Sequence, residues 1–156
     1  MVGSKEEELE TLATMHMDQP LQTRVGLGVM LMKDGKVLLG RRKGSHGAGE
    51  YAWPGGHLEY MESFEDCARR EVREETGMEI ENLRLVRLGN LRDYAPKHYI
   101  DITLMADWKS GEPRVMEPER CEDWGWYDLD NLPQPLFKVE PKAVEAFKTG
   151  RVYWDE

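Results

Sequence analysis

Residues 55–78 read Gly-Gly-His-Leu-Glu-Tyr-Met-Glu-Ser-Phe-Glu-Asp-Cys-Ala-Arg-Arg-Glu-Val-Arg-Glu-Glu-Thr-Gly-Met, and no other stretch constrains the chain as much. It predicts a tight Gly-Gly approach, a short extended piece, then one helix with both ends marked. Ser63 has the side chain of an N-cap, and Asp66, three residues on, resembles the reciprocal half of a capping box. Gly77 falls just past the last helical residue, where a left-handed backbone favours glycine. At 3.6 residues per turn Glu71, Glu74 and Glu75 project from one side, with Phe64, Ala68 and Val72 as an apolar stripe beside them. One edge of the helix is therefore expected to pack while its acidic edge lines a cleft.

Three carboxylates this close repel one another, by on the order of a few tenths of a kcal/mol per helical pair. A hard divalent cation removes that repulsion, because Mg²⁺ prefers oxygen ligands and binds through a few carboxylates plus substrate phosphates. Arg70, four residues before Glu74, is spaced to brace such a site from outside. Out of context, three glutamates on a helix are more often a solvated acidic face, and spacing alone leaves both readings open.

The chain of 156 residues is read as one domain over residues 21–156, preceded by a mobile arm over residues 1–20. No apolar run approaches membrane-spanning length, and the N-terminus lacks the apolar segment of a secretory signal. Cys67 and Cys121 have neither metal-ligand spacing nor a disulfide framework, so a reducing, cytoplasmic setting is expected. The formal net charge of −9 argues against a nucleic-acid surface. It also means that an enzyme of anionic nucleotides would need bound metal and a local basic patch to reverse the field. Arg41-Arg42-Lys43 is the compact basic cluster upstream of the helix.

Along the chain, Val25, Leu27, Val29 and Leu31 alternate with Gly26, Gly28, Met30 and Met32, a strand period. Lys33-Asp34-Gly35-Lys36 is a hairpin signal leading to Val37-Leu38-Leu39. Residues 44–49 are a glycine-rich loop without a P-loop ending. Strands are expected over Leu83–Leu91, His98–Trp108 and Trp124–Tyr127. On the second of these Ile100, Ile102, Leu104 and Ala106 share one face, and Tyr99, Asp101, Thr103 and Met105 the other. A last helix spans Pro141–Lys148, with Gly150 beyond its end. The order of strands and helices suits a mixed sheet with helices on its faces.

Gly56, five residues, Glu62, seven residues, then Arg70-Glu71-Val72-Arg73-Glu74-Glu75-Thr76-Gly77-Met78 resembles the Nudix box at every defining position. Seven fixed letters at ordinary usage coincide by chance on the order of once in a hundred million start positions. The resemblance implies a Nudix hydrolase: an α/β fold, an α/β/α sandwich with a mixed β-sheet. Residues 37–42, 53–59 and 116–133 further resemble the MutT-like nucleoside triphosphate diphosphatase branch.

What the resemblance implies for function is a Mg²⁺-dependent pyrophosphohydrolase, with Mn²⁺ as a substitute. Its substrate would be a purine nucleoside triphosphate, ordinary, oxidised or otherwise modified, cut to monophosphate and pyrophosphate. The competing enzyme readings are a pyrophosphatase of NADH, ADP-ribose or dihydroneopterin triphosphate; the non-enzymatic one is a nucleotide-binding module. Glu71, Glu74 and Glu75, with the Gly55 carbonyl, are the expected metal ligands. Glu71, Glu74, Arg70 and Glu117 form the expected catalytic set, with Glu119 and Glu122 as further candidates for a base. Arg41, Arg42, Trp53, Tyr94 and Asp101 are the expected substrate contacts, Asp101 either reading a purine edge or pairing with a neighbouring arginine or lysine. A small-molecule nucleotide is the expected partner, with no nucleic acid and no membrane, and the branch implies a homodimer.

Overall fold

Alternation in the first half of the chain builds one face-to-face system of strands. The computed structural model describes residues 21–44 and 46–156; the arm expected over residues 1–20 lies outside the described residues. β1 (Thr23–Lys33) turns through Asp34 and Gly35, both at positive φ (51° and 77°), into β2 (Lys36–Arg42). Two left-handed residues match the twist of the strands they join. Then come β3 (Tyr51–Ala52), β4 (Gly55–His57), α1 (Phe64–Thr76), β5 (Glu79–Leu91), β6 (His98–Ser110), β7 (Cys121–Asp128), α2 (Glu140–Thr149) and β8 (Tyr153–Asp155). The eight strands form one sheet in the order β3-β2-β1-β6-β5-β8, with β4 on β1 and β7 on β2. β1 runs parallel to β6, and β5 to β8, while the other pairs are antiparallel, so the sheet is mixed.

One edge of β1 serves two partners. Gly26, Leu27 and Gly28 pair with β4, whereas Met32 and Lys33 pair with β2. Between them the Val29 amide donates to the Pro54 carbonyl at 2.8 Å. The sheet divides at that point, and β4 leads from it towards α1.

Each face of the sheet carries one helix. Leu27, Val29 and Leu31 of β1 and Ile102, Leu104 and Ala106 of β6 pack under Cys67, Ala68 and Val72 of α1. On the other face Met30, Met105 and Trp53 pack with Ala143 and Ala146 of α2. The alternation read from β1 and β6 thus assigns the two cores correctly, and the architecture is the expected α/β/α sandwich.

α1 is capped as expected: Ser63 Oγ accepts from the Asp66 amide at 3.1 Å, and Gly77 (φ 77°) donates to the Arg73 carbonyl. Phe64, expected in the apolar stripe, is half exposed in the first turn; Cys67, Ala68 and Val72 do the packing. β5 begins four residues earlier than Leu83, because register shifts along its pairing with β6 absorb the polar run Glu81-Asn82. β3 and β8 are too short to show a period. No helix among the described residues is long and apolar enough to cross a membrane.

Val72 is fully buried between α1 and β1. Val72→Ala removes its apolar contacts and leaves a void, at a cost of about 2 kcal/mol. For a chain of this size that lowers Tm by roughly 5 °C in calorimetry, with the unfolding transition still cooperative.

Candidate active site

Where the sheet divides, Gly55 and Gly56 bring bare backbone against the acidic edge of α1. A Cβ on Gly56 would collide with the carboxylate of Glu71, and one on Gly55 with the Leu27 carbonyl. The Gly55 amide donates to Glu75 Oε2 at 3.1 Å. The bare Gly56 therefore lets Glu71 sit inside the fold, while Gly55 lets β4 close on β1 and offers its amide to the half-buried Glu75.

Burial and mutual repulsion set the electrostatics. Burial, then the neighbouring Glu71 carboxylate, pushes Glu75 up to about 8, and Glu117 adds to the effect. Burial likewise raises Glu71, with Arg70 opposing and Glu74 and Glu117 assisting. Hydrogen bonding to Gly55 is the favourable contact that Glu75 retains, and it does not offset the burial. The cluster is short of positive charge.

Arg70 is the organiser. Its guanidinium grips Glu62 with two hydrogen bonds (2.7 and 3.0 Å), touches Glu71 at 2.8 Å and Glu74 at 3.2 Å, and donates to the His57 carbonyl at 3.1 Å. A planar fork of five donors can hold several acceptors at once, which an ammonium cannot do in fixed geometry. Bonding to Arg70 holds Glu62 down at about 2. Glu62 and Arg70 are thus a brace, and Glu74, with 54 % of its side chain exposed, is the carboxylate turned outward.

The donor set fits a hard divalent cation: carboxylate oxygens on one helix edge, among them the half-buried Glu75, which accepts from an amide and from no cationic side chain. Among the described residues no three such side chains close into a cage. That accords with an ion such as Mg²⁺, which keeps several waters and is completed by substrate phosphates. The Gly55 carbonyl was the expected backbone ligand; the contact seen at Gly55 is its amide to Glu75.

Of the three loop glutamates, Glu117 faces the cluster, since its charge acts on both Glu71 and Glu75. Glu122 instead pairs with Arg41 at 3.7 Å. Arg42 lies over the Phe137 ring at 4.0 Å and donates to the His46 carbonyl, which fixes the 44–49 loop. Both arginines expected at the substrate are therefore engaged within the protein. Trp53, expected to stack on a base, has only 6 % of its surface exposed and packs in the second core, against Gly28.

Asp101 is buried and pairs with Arg87 at 2.8 Å, the ion-pair alternative of the two expected for it. Arg87, wholly buried, also meets Glu156, which bonds Lys142 in turn. Glu140 of α2 lies close by: it accepts from the Trp53 amide at 3.4 Å, and burial and Asp101 hold its carboxyl well above the usual range. Tyr94 is raised by burial and by the neighbouring charges of Asp93 and Asp101, with Arg87 opposing. Arg87 and Glu140 escaped the sequence reading. A strand arginine reads as solvent-facing, and the one signal for it was the partner that Asp101 required.

A model of the NUDIX domain matches residues 22–148. The chain is 32 % identical over 108 residues to the oxidized purine nucleoside triphosphate hydrolase of Danio rerio, covering 67 % of this chain and just under two thirds (66 %) of that protein. It is 32 % identical over 133 residues to the ADP-ribose pyrophosphatase of Methanocaldococcus jannaschii, covering 83 % and 78 %. The crystal structure of a MutT NUDIX hydrolase from Burkholderia pseudomallei superposes with a TM-score of 0.75 at 40 % identity, covering 80 % of this chain and 98 % of that one.

Glu140 holds its proton more tightly in the fold than in the unfolded chain, where it titrates near 4.3. Its contribution to stability is complete below that pH and is lost as pH rises through the higher folded value. Glu140→Gln keeps a carbonyl for the Trp53 amide and removes the titration. Thermal unfolding from about pH 5 to 9 should give the variant the higher Tm at the alkaline end, by several degrees, with the two proteins converging at the acid end.

Proposed function

This chain belongs to the Nudix family, and on that premise we propose that it is a divalent-metal-dependent pyrophosphohydrolase of purine nucleoside triphosphates, using Mg²⁺ or, in its place, Mn²⁺. One observation carries the reading: Glu75, half-buried, takes the Gly55 amide at 3.1 Å on the same helix edge as the buried Glu71, and burial and like charge raise its carboxyl to about 8. A fold that spends stability on a cation-seeking pocket is matched to a cation and to the phosphates that accompany it.

When bound, the cation would draw charge from the phosphate oxygens and lower the barrier to displacement at phosphorus. The chain's own residues do the rest. Glu71 and Glu75 would hold it from α1, Glu71 seated against the bare backbone of Gly56 and Glu75 on the Gly55 amide. Arg70 positions Glu71 and Glu74 and is itself positioned by Glu62. Glu74, turned outward, holds the attacking water and accepts its proton; Glu117 lines the opposite side. Tyr94 and Asp101 border the pocket for the base, where Asp101 is committed through Oδ2 to Arg87. The Danio rerio relative supports a triphosphate. The Methanocaldococcus jannaschii relative supports the alternative, a nucleotide sugar such as ADP-ribose or a dinucleotide, and products separate the two: pyrophosphate from the first, two monophosphates from the second.

Two variants test the site. Glu75→Gln should slow turnover at saturating Mg²⁺ by at least about 10²-fold, as expected for loss of one strong ligand. Without metal it should also unfold at a higher temperature than the parent above about pH 8, where Glu75 of the parent is charged beside Glu71. Turnover near that of the parent would remove Glu75 from the metal. Gly56→Ala pushes a methyl group into Glu71, so half-saturation by Mg²⁺ should shift upward by about tenfold while circular dichroism stays that of the folded chain.

A further inference from the structure

An anion entering this cleft approaches a chain of net charge −9, and in the basic cluster upstream of α1 Arg41 already has Glu122 nearby and Arg42 has the His46 carbonyl and Phe137. Other cations face the opening. Arg24 stands on β1 opposite Tyr99 of β6. Beside it Gly26 leaves the sheet bare, with only Tyr99 near enough to touch a Cβ there, at 3.9 Å. His57, paired with Gly26, lays its ring on Tyr99, the centroids 5.7 Å apart and the planes 10° from parallel.

Lys97 leads into β6 one residue before His98, whose Nδ1 lies 2.8 Å from Thr23 Oγ1. Arg24 and Lys97 are therefore brought to one end of the β1/β6 pair. Lys97 Nζ reaches His46 Nε2 at 2.9 Å, at the tip of the glycine-rich loop. Arg120 is fixed by its amide to the Glu117 carbonyl (2.9 Å) and by its carbonyl to the Lys43 amide (2.8 Å). Its Nη1 lies 3.9 Å from Glu117 Oε2, on the loop whose Met116 amide approaches the Glu75 carbonyl at 3.4 Å. After burial, Arg24, Arg120 and Lys97 are what keep His57 below the ordinary imidazole range.

All three cations are exposed. Among the described residues Arg24 and Lys97 form no ion pair, and Arg120 has Glu117 at a loose 3.9 Å. Like charges gathered around one ring, with so little to neutralise them, favour an incoming anion. On the carboxylate side, the His57 carbonyl is bound by Arg70. His57 thus marks the border between the acidic wall and the basic one.

We propose that Arg24, Lys97 and Arg120, ranged around His57, form an anion-binding rim that takes the terminal phosphate of a nucleoside polyphosphate. This deepens the hydrolase reading and rests on it for the reaction. It adds a basis for choosing substrates: a terminal phosphate is unesterified on one side and carries up to two charges, whereas each phosphate of a dinucleotide is esterified or bridged on both sides and carries one. The rim rewards the first class and not the second.

The test uses a triple variant, Arg24→Gln with Lys97→Gln and Arg120→Gln, and a control, Lys36→Gln, which removes a charge at the opposite end of β1. Titration calorimetry with inorganic tripolyphosphate and Mg²⁺ should find binding weakened by about tenfold or more in the triple variant and unchanged in the control. For a purine nucleoside triphosphate, KM should rise by a similar factor with kcat within about threefold, while KM for ADP-ribose stays put. Unchanged tripolyphosphate affinity, or an equal rise in KM for both substrates, overturns the rim. Should the triple variant fail to fold, the three single variants, each weakening tripolyphosphate about two- to fourfold, carry the same test. A parent protein that binds tripolyphosphate through these residues yet hydrolyses no nucleotide overturns the hydrolase reading and leaves the rim standing.

Discussion

Contact between the acidic edge of α1 and the glycine backbone of β4 is what the rest of the site depends on. Glu71 is within the fold because Gly56 presents no side chain to exclude it, and Glu75 lies half-buried on the Gly55 amide. Such burial is unfavourable for carboxylates on its own. It persists because α1 is secured elsewhere: a satisfied N-cap at Ser63, a left-handed glycine at its end, and a packed stripe of Cys67, Ala68 and Val72 under the sheet. Stability gathered in the apolar core is spent at the acidic edge, where Arg70 distributes one positive charge among several acceptors.

Much of this was legible in the sequence because its causes are local. Capping residues, a 3.6-residue period and the positions of two glycines all act within a few turns of chain, and α1 came out with its ends in place. Alternation along β1 and β6 sorted their side chains between two cores for the same reason. What escaped depends on partners far apart in the chain. Arg41 and Arg42 read as a basic patch, but Glu122 and Phe137, about eighty and ninety-five residues downstream, decide what they touch. Trp53 read as a stacking surface until α2 and Met30 enclosed it. The division of β1's edge between β2 and β4 has no local signature at all.

The two faces of the sheet differ in kind. One is closed over by α1 with an ordinary apolar interior. The other carries, within its apolar packing, a set of buried ionisable groups: Asp101, Arg87 and Glu140, tied outward to Glu156 and Lys142. Networks of this sort give little net stability but strongly penalise any rearrangement that leaves one member unpaired.

Glu75 has two working ends. Its carboxylate accepts from Gly55, while its main-chain oxygen accepts from the Trp124 indole at 3.2 Å and lies 3.4 Å from the Met116 amide. The latter two belong to β7 and to the loop that carries Glu117 and Arg120. A single residue therefore joins the acidic wall of the cleft to the strand and loop opposite, through bonds that cannot lengthen independently. Any coupling between the carboxylate and the loop through this one residue is the same free energy in either direction.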